Sequence, residues 1–363
     1  MLKKVLPLLL AMSLASAAMA FSFSAEASSG QTLYFTITEG NTVKVVAPAT
    51  VSWTGYTTPT GQLVIPSTVT SGGTTYTVTA IDKMAFLQCY ELTAVTVPGT
   101  VVTIGMRAFA EDTLLATATL SEGVQRIDMM AFFMCSSLAT INLPTTLQRI
   151  AVSAFEGTAF YTDEANWNDS MLTLGNWVIK VGNLVEGTVS VPEGMTGVAN
   201  NAFMYCRYMN KVELPSTMLY IGEGAFKDCY GLDTVRVRAL MPPAISDDSF
   251  QGVNPLPTLA VPFGRASVYD TTQYWRDFNI VEDRIKYISI DEVATTALTV
   301  CAVEGGIMVC GAEGACLAVY DMMGRRVAVS RNAVGEQYLL LPTTGVYVLQ
   351  ANGRAIKLSY CCK

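Results

Sequence analysis

The chain contains no histidine. A Ser-His-Asp triad, a Cys-His pair and a His-ligated zinc or haem are therefore excluded. Carboxylate, Ser-Lys or tyrosine chemistry remains open, and the chain carries nine cysteines. Four of the cysteines, Cys89, Cys135, Cys206 and Cys229, each stand three residues after a phenylalanine, a slot held elsewhere by Asp112 and Thr158. One reading makes these thiols a metal site or disulfides. The other, favoured by the mixed occupancy, makes the slot a buried turn that takes small, semi-polar side chains. No C-x-x-C links the four, and a Cys206–Cys229 disulfide is the minority reading in an oxidising compartment. Nine cysteines leave at least one thiol unpaired per monomer. A hydrolase built on paired carboxylates needs two such groups at a fixed separation in a cleft. Here Asp and Glu are scattered, so no catalytic residue, metal ligand or cofactor site is assigned.

Binding chemistry is better placed. Lys211, Glu213, Asp233, Arg236 and Arg238 concentrate charge on two neighbouring segments, whereas the corresponding residues earlier in the chain (Thr93, Ala94, Thr96, Pro98, then Ala116, Thr117, Thr119, Ser121) are small and uncharged. Arg236 and Arg238, two apart on a strand, share a face. Paired arginines suit carboxylate-bearing partners, either acidic peptides or sialylated and uronic glycans. The plainer alternative is a solvated edge. Trp167 and Trp177 form a second candidate, an aromatic ligand platform, the alternative being that they cover the flank of their own insertion.

A repeat positions these residues. Ala-Phe recurs with its phenylalanine at 86, 109, 132, 155, 203 and 226, in steps of 23, 23, 23, 48 and 23, and Phe250 follows 24 residues later. Five residues before each of these stands Ile81, Ile104, Ile127, Ile150, Val198, Ile221 or Ile245. Apolar triplets follow at fixed offsets: Leu92-Val95-Val97, Leu115-Ala118-Leu120, Leu138-Ile141-Leu143, Met209-Val212-Leu214 and Leu232-Val235-Val237. The alternation within each triplet describes a short strand with one buried face. Such a strand cannot close a core alone, so the units must stack as a solenoid with a parallel sheet along one flank. Residues 33–80 read as a degenerate first unit shielding one apolar end. Residues 160–192 read as a small hairpin inserted between units.

Apolar residues make up 51% of the chain and charged residues 15%, the reverse of a disordered composition. Lys plus Arg number 23 against 30 acidic residues, a net charge of −7, which argues against a nucleic-acid partner. Lys3-Lys4, an apolar run from Val5 to Leu14 and the small residues ending at Ala20 have the order of a secretory signal peptide over 1–20. Ala27 is an alternative scissile site. A membrane anchor is the competing reading, but the run is short for one. No later stretch is apolar enough to span a membrane.

The unit, Ile-x-x-x-Ala-Phe-x-x-Cys-x-x-Leu-x-x-Val-x-Val-Pro, resembles the BspA-like (Treponema-type) leucine-rich repeats of bacterial surface antigens. The resemblance covers about 33–283, from Tyr76-x-Val78-x-x-Ile81 to a closing segment over 251–283 marked by Val261-Pro262, Tyr269, Tyr274-Trp275, Phe278 and Ile280. It implies a secreted or surface-displayed protein that adheres to host proteins or to other bacteria. It carries no shared catalytic residues.

From Arg284 the 23-residue period is lost, and short runs at Ile307–Val309, Cys316–Tyr320, Tyr338–Leu341 and Val346–Leu349, punctuated by glycines, predict a small antiparallel β-sandwich over 284–363. Tyr320, Asp321, Gly324, Arg325, Gly345, Tyr347 and Lys357 make this module similar to the C-terminal sorting domain of type IX secretion cargo. That resemblance implies export to the outer surface of a Gram-negative bacterium, with the secretion machinery as a partner. The terminal Tyr360-Cys361-Cys362-Lys363 departs from its pattern. Taken together, the sequence predicts a mainly β protein, a leucine-rich-repeat solenoid followed by a small sandwich. The expected role is recognition of extracellular proteins or glycans by an adhesin, with nutrient capture as the alternative and a hydrolase as the least favoured.

Overall fold

The computed structural model describes residues 21–262, 264–283, 299–303, 305–310, 314, 316–331, 333, 337–343, 345–351 and 354–360. The leader expected over 1–20, the period break after 283 and the terminal cysteine pair lie outside them, as do the side chains of Cys301, Cys310 and Lys357. The chain forms two compact units. The first is Met1–Asn183, Thr196–Met204 and Tyr220–Lys227; the second is Leu184–Met195, Tyr205–Leu219 and Asp228–Lys363.

In the first unit the repeat winds as a solenoid. Its isoleucines lie in a ladder of short parallel strands, Thr74–Ile81, Thr103–Ile104, Arg126–Ile127 and Arg149–Ile150, with Ile81, Ile104, Ile127 and Ile150 in register. The Leu-x-x-Val-x-Val segments form a second parallel ladder, Gly61–Val64, Leu92–Val97, Thr117–Leu120 and Thr140–Asn142. Between the ladders the phenylalanines stack face to face. Centroids lie 5.0 Å apart for Phe86–Phe109, 5.3 Å for Phe109–Phe132 and 5.7 Å for Phe132–Phe155. Each ring is buried, so the column contributes both apolar burial and ring–ring contact.

The return past each phenylalanine depends on two left-handed residues, two before and two after it. Met84 and Gln88 flank Phe86 at φ 56° and 60°, and Met130 and Met134 flank Phe132 at 57° and 57°. For a residue other than glycine this conformation costs roughly 1–2 kcal/mol. The backbone hydrogen bonds between units, such as Phe86 N–H to Ala108 C=O at 2.7 Å, offset it. Glycine relieves the cost at Gly224, φ 58°.

The first end is closed by more than the expected degenerate unit. Strands Phe23–Glu26, Thr32–Ile37 and Thr42–Val46 form an antiparallel meander whose last strand joins Thr74–Ile81 in parallel. Trp53 stacks on Phe86 at 6.1 Å and donates its indole N–H to the Ala85 carbonyl, terminating the phenylalanine column with a larger ring.

The block at 160–192 differs from a hairpin set between units. Trp167–Asn168, Met171–Leu174 and Trp177–Val181 do form an antiparallel meander, but its last strand pairs in parallel with Gly197–Val198, which pairs with Tyr220–Ile221. Val181 N–H donates to the Ala202 carbonyl, the same bond that Phe132 makes to Ala154 and Phe203 to Ala225. Val181 therefore occupies the phenylalanine position of a full turn, 26 residues after Phe155 and 22 before Phe203.

In the second unit, Glu186–Ser190, Tyr208–Leu214, Thr234–Val237, Thr258–Pro262 and Asn279–Asp283 form a five-stranded parallel sheet. Phe250, Tyr269, Trp275 and Phe278 pack as one aromatic cluster beside it, with Tyr269 O–H donating to Ala239 C=O and Trp275 N–H to Pro243 C=O. The C-terminal segment folds as two antiparallel sheets. One comprises Thr299–Val303, Gly306–Cys310 and Gln337–Leu340; the other comprises Leu317–Asp321, Arg326–Ser330, Gly345–Ala351 and Arg354–Tyr360. Ile307, Val309, Leu339 and Leu341 share a core with Leu317, Val319, Leu349 and Leu358, as a small sandwich requires.

Candidate functional site

The parallel sheet of the second unit brings the charged candidates together. Register places Lys211 beside Thr234 and Glu213 beside Arg236. Glu213, 14% exposed, receives Lys211 Nζ at 2.6 Å, Arg236 at 3.1 Å and Arg238 at 3.0 Å. Arg236 also donates to Asp283 at 3.0 Å, and Arg238 lies 3.8 Å from Glu193. Burial pushes the Glu213 carboxyl upward, but the hydrogen bond and charge of Lys211, with Arg236 and Arg238, hold it below the usual carboxylate range. Asp233 stands exposed at the edge of this group and makes no side-chain ion pair among the described residues.

This corrects the expectation that Arg236 and Arg238 await an external carboxylate. Residues 23 apart become strand neighbours, so Glu213 and Asp283 already occupy the two guanidinium groups. The cluster is an internally neutralised network that ties three strands of the sheet.

The two tryptophans are not brought together as a platform. Trp177, 1% exposed, lies in the core of the first unit, parallel to Tyr220 with centroids 6.2 Å apart. Gly197 packs on its indole, and a Cβ there would clash with the ring. Trp167 is half-buried, meets Tyr161 edge-on at 5.8 Å and donates its N–H to the Tyr161 carbonyl at 3.0 Å. Both serve the packing of their own meander.

The slot three residues after phenylalanine is a buried ladder, as its mixed occupancy suggested. Cys89, Cys135, Cys206 and Cys229 are buried thiols outside any disulfide. Burial pushes the Cys89 and Cys135 thiols far upward; for Cys229 the hydrogen bond with Cys206 leads, with burial adding to it. Neutral thiols of this kind are poor nucleophiles and poor metal ligands. Among the described residues no group of three or more cysteines and carboxylates could hold a metal ion.

In the C-terminal sandwich the motif residues build a hairpin. Asp321 accepts backbone N–H groups from Met323 and Arg325, both at 2.9 Å, and its second oxygen takes Arg325 Nε at 2.7 Å. Those bonds, the Arg325 backbone first, lower the Asp321 carboxyl. Gly324, φ 74°, supplies the left-handed turn residue. Tyr320 pairs with Val348 and Asp321 with Tyr347, whose hydroxyl donates to Thr343 C=O at 2.7 Å. Gly345 pairs with Tyr360 at the sheet's end, and Lys357 pairs with Val348 in the same sheet. Met322 and Met323 stand 68% and 82% exposed at the hairpin tip.

One cluster escaped the sequence reading. Tyr205, Arg207, Asp228 and Tyr230 lie in the loops that follow the buried phenylalanines. The signal for it was Arg207 and Tyr230 at one repeat position, 23 residues apart, with Tyr205 and Asp228 likewise at another.

The sequence profile described as "BspA type Leucine rich repeat region" matches residues 66–184 and 183–272 in six copies, more than half of the chain. The chain belongs to the BspA-type leucine-rich repeat family. Among solved structures it is similar to a leucine-rich repeat protein from Bacteroides ovatus, at 24% identity and TM-score 0.35, over 64% of this chain and 54% of that one. It thus spans about half the length of that protein. A Bacteroides capillosus leucine-rich repeat protein matches at 28% identity and TM-score 0.31, over 37% and 91%. A leucine-rich cell surface protein from Faecalibacterium prausnitzii matches at 20% identity and TM-score 0.26, over 72% and 94%. No curated protein matches the sequence. No helix among the described residues is long and apolar enough to cross a membrane.

Proposed function

We propose that this BspA-type protein is exported to the outer surface of a Gram-negative bacterium and acts there as a recognition protein, an adhesin that uses its solenoid to hold extracellular partners. The observation that carries this reading is the contrast between inward and outward repeat positions. Inward columns repeat the same residues from unit to unit, whereas outward positions run from Thr96 and Thr119 to Glu213 and Arg236. Packing demands the first set and leaves the second free to be shaped by a ligand. The leader order over 1–20 and the sorting-like hairpin around Asp321 support export, with 284–363 as the segment that directs it. Solenoid family membership and the buried, neutral thiols favour binding over catalysis.

Two experiments test the two halves of this reading. Deleting residues 284–363 abolishes surface labelling of intact cells while the secreted or periplasmic solenoid remains folded. Normal labelling of the truncated protein removes the sorting role. Labelled full-length protein binds selected host or bacterial surfaces in a panel; uniform background across the panel removes the adhesin.

A further inference from the structure

Arg207 differs from the other arginines that line the second unit's sheet. Its guanidinium carbon lies 5.3 Å from the ring centre of Tyr205 and 5.5 Å from that of Tyr230, so two rings hold it in place. It is exposed and forms no ion pair among the described residues, whereas Arg236 and Arg238 are saturated by Glu213, Asp283 and Glu193. The tyrosines are exposed as well: Tyr205 is 41%, Tyr230 61%, and Tyr208, next in the chain to Arg207, 61%. The hydroxyl of Tyr230 donates to Asp228 Oδ1 at 3.0 Å, which orients that ring and sets the half-buried Asp228 carboxylate beside it.

The backbone brings these groups close for an identifiable reason. Gly231 follows Tyr230, and a Cβ at that position would collide with the carbonyl of Arg207. Only glycine lets the two loops approach so nearly. Tyr205 and Asp228 occupy the left-handed position two residues after the buried phenylalanine, at φ 67° and 58°. An exposed tyrosine there gains nothing for the core.

We propose that Tyr205, Arg207, Asp228 and Tyr230 form a subsite for a carboxylated sugar, a uronate or sialate residue of an acidic glycan. The planar guanidinium, unneutralised and fixed between rings, matches a carboxylate bidentately. Exposed tyrosine rings offer apolar faces to a pyranose and a hydroxyl at their rim. Asp228 accepts hydrogen bonds from sugar hydroxyls. That carboxylate also separates the glycan from an acidic peptide. A run of Asp and Glu brings carboxylates without hydroxyls, whereas each uronate residue joins its carboxylate to several hydroxyl donors that Asp228 can accept from. The inference deepens the recognition reading by naming a ligand class. It is tested on purified protein, so failure of surface display leaves it untouched.

The experiment measures binding of purified full-length protein to tetragalacturonate, to the carboxyl-reduced form of the same oligosaccharide and to a penta-glutamate peptide. Wild type binds the uronate at least about tenfold more tightly than either of the other two. Arg207→Ala loses about tenfold on the uronate and nothing on the reduced sugar. Arg207→Lys, which keeps charge but not the planar fork, loses about threefold. All variants retain the wild-type melting temperature, since Arg207 is exposed. Equal affinity for the uronate and its reduced form, equal or tighter binding of penta-glutamate, an Arg207→Ala variant that binds as wild type, or no uronate binding at all would each overturn the proposal.

Discussion

Asp112 gives a test of the repeat's interior that can be worked out from the structure. It fills the slot that elsewhere holds cysteine, is fully buried, and accepts the Cys89 backbone N–H at 2.8 Å through one oxygen. Its other oxygen has no hydrogen-bond partner among the described residues. Cys135 donates its thiol to Phe109 C=O at 2.9 Å and not to that oxygen, and among the described residues no cation pairs with the carboxylate. Burial therefore pushes the Asp112 carboxyl well above its ordinary value of 3.8, the Cys89 hydrogen bond opposing and Glu111 adding to the rise. Above that value the unfolded chain releases the proton while the folded chain keeps it. The folded state then binds more protons than the unfolded one, so stability falls as pH rises, by up to about 1.4 kcal/mol per pH unit. The loss stops once pH passes the folded-state value.

Asp112→Asn keeps the acceptor for Cys89 and the side-chain volume but cannot ionise. Variant and wild type should be nearly equal in stability at pH 4. The variant should gain on wild type as pH rises above about 4, by at most about 1.4 kcal/mol per pH unit. Urea unfolding of both proteins at pH 4, 5, 6 and 7 reads this directly. Asp112→Cys, which installs the residue used by the neighbouring units, should show the same flat profile up to neutral pH. A stability difference that does not change with pH would refute the reasoning, because it would mean that Asp112 is ionised in the folded protein at little cost.

Phe132→Ala should cost about 3–5 kcal/mol, since the ring is buried between Phe109 and Phe155 with no free end to collapse; a midpoint equal to wild type in urea would contradict the column. Trp177→Ala should cost a similar amount, about 3–5 kcal/mol, and leave glycan binding untouched, as expected for core and not for a ligand platform; calorimetry and the uronate assay separate the two. The double change Arg236→Ala, Arg238→Ala should lower stability by about 1–3 kcal/mol by stranding Asp283 and leaving Glu213 with Lys211 alone, while binding of acidic ligands persists. In maleimide labelling followed by peptide mapping, exposed Cys316 should react in the native protein, whereas Cys89, Cys135, Cys206 and Cys229 react only after unfolding.

The repeat was legible because packing writes it into the chain. Ile81, Phe86, Leu92, Val95 and Val97 each fill an inward position that stacking repeats every 23 residues, and no surface requirement interferes. Legibility failed where the same physics tolerates another residue. Val181 takes a phenylalanine position, as its backbone hydrogen bond to Ala202 shows, so the Ala-Phe signature vanished although the turn did not. Trp53 was missed for a related reason, since a terminal ring has one stacking neighbour in the column and no fixed offset to obey.

The charged candidates show a different limit. Along one strand, Arg236 and Arg238 read as a cationic pair. In the sheet each outward side chain has neighbours one period away in either direction, and Glu213 is the neighbour of Arg236. The charge of a solenoid surface is therefore a property of the two-dimensional lattice of strand position and unit number, and summing along the sequence assigns it wrongly. The same lattice joins Tyr205, Arg207, Asp228 and Tyr230, which belong to two consecutive units and look unremarkable in either alone. A recognition site in such a fold arises where one unit supplies what its neighbour leaves unsatisfied. Arg236 beside Glu213 is satisfied within the lattice; Arg207, set between two tyrosine rings, is not.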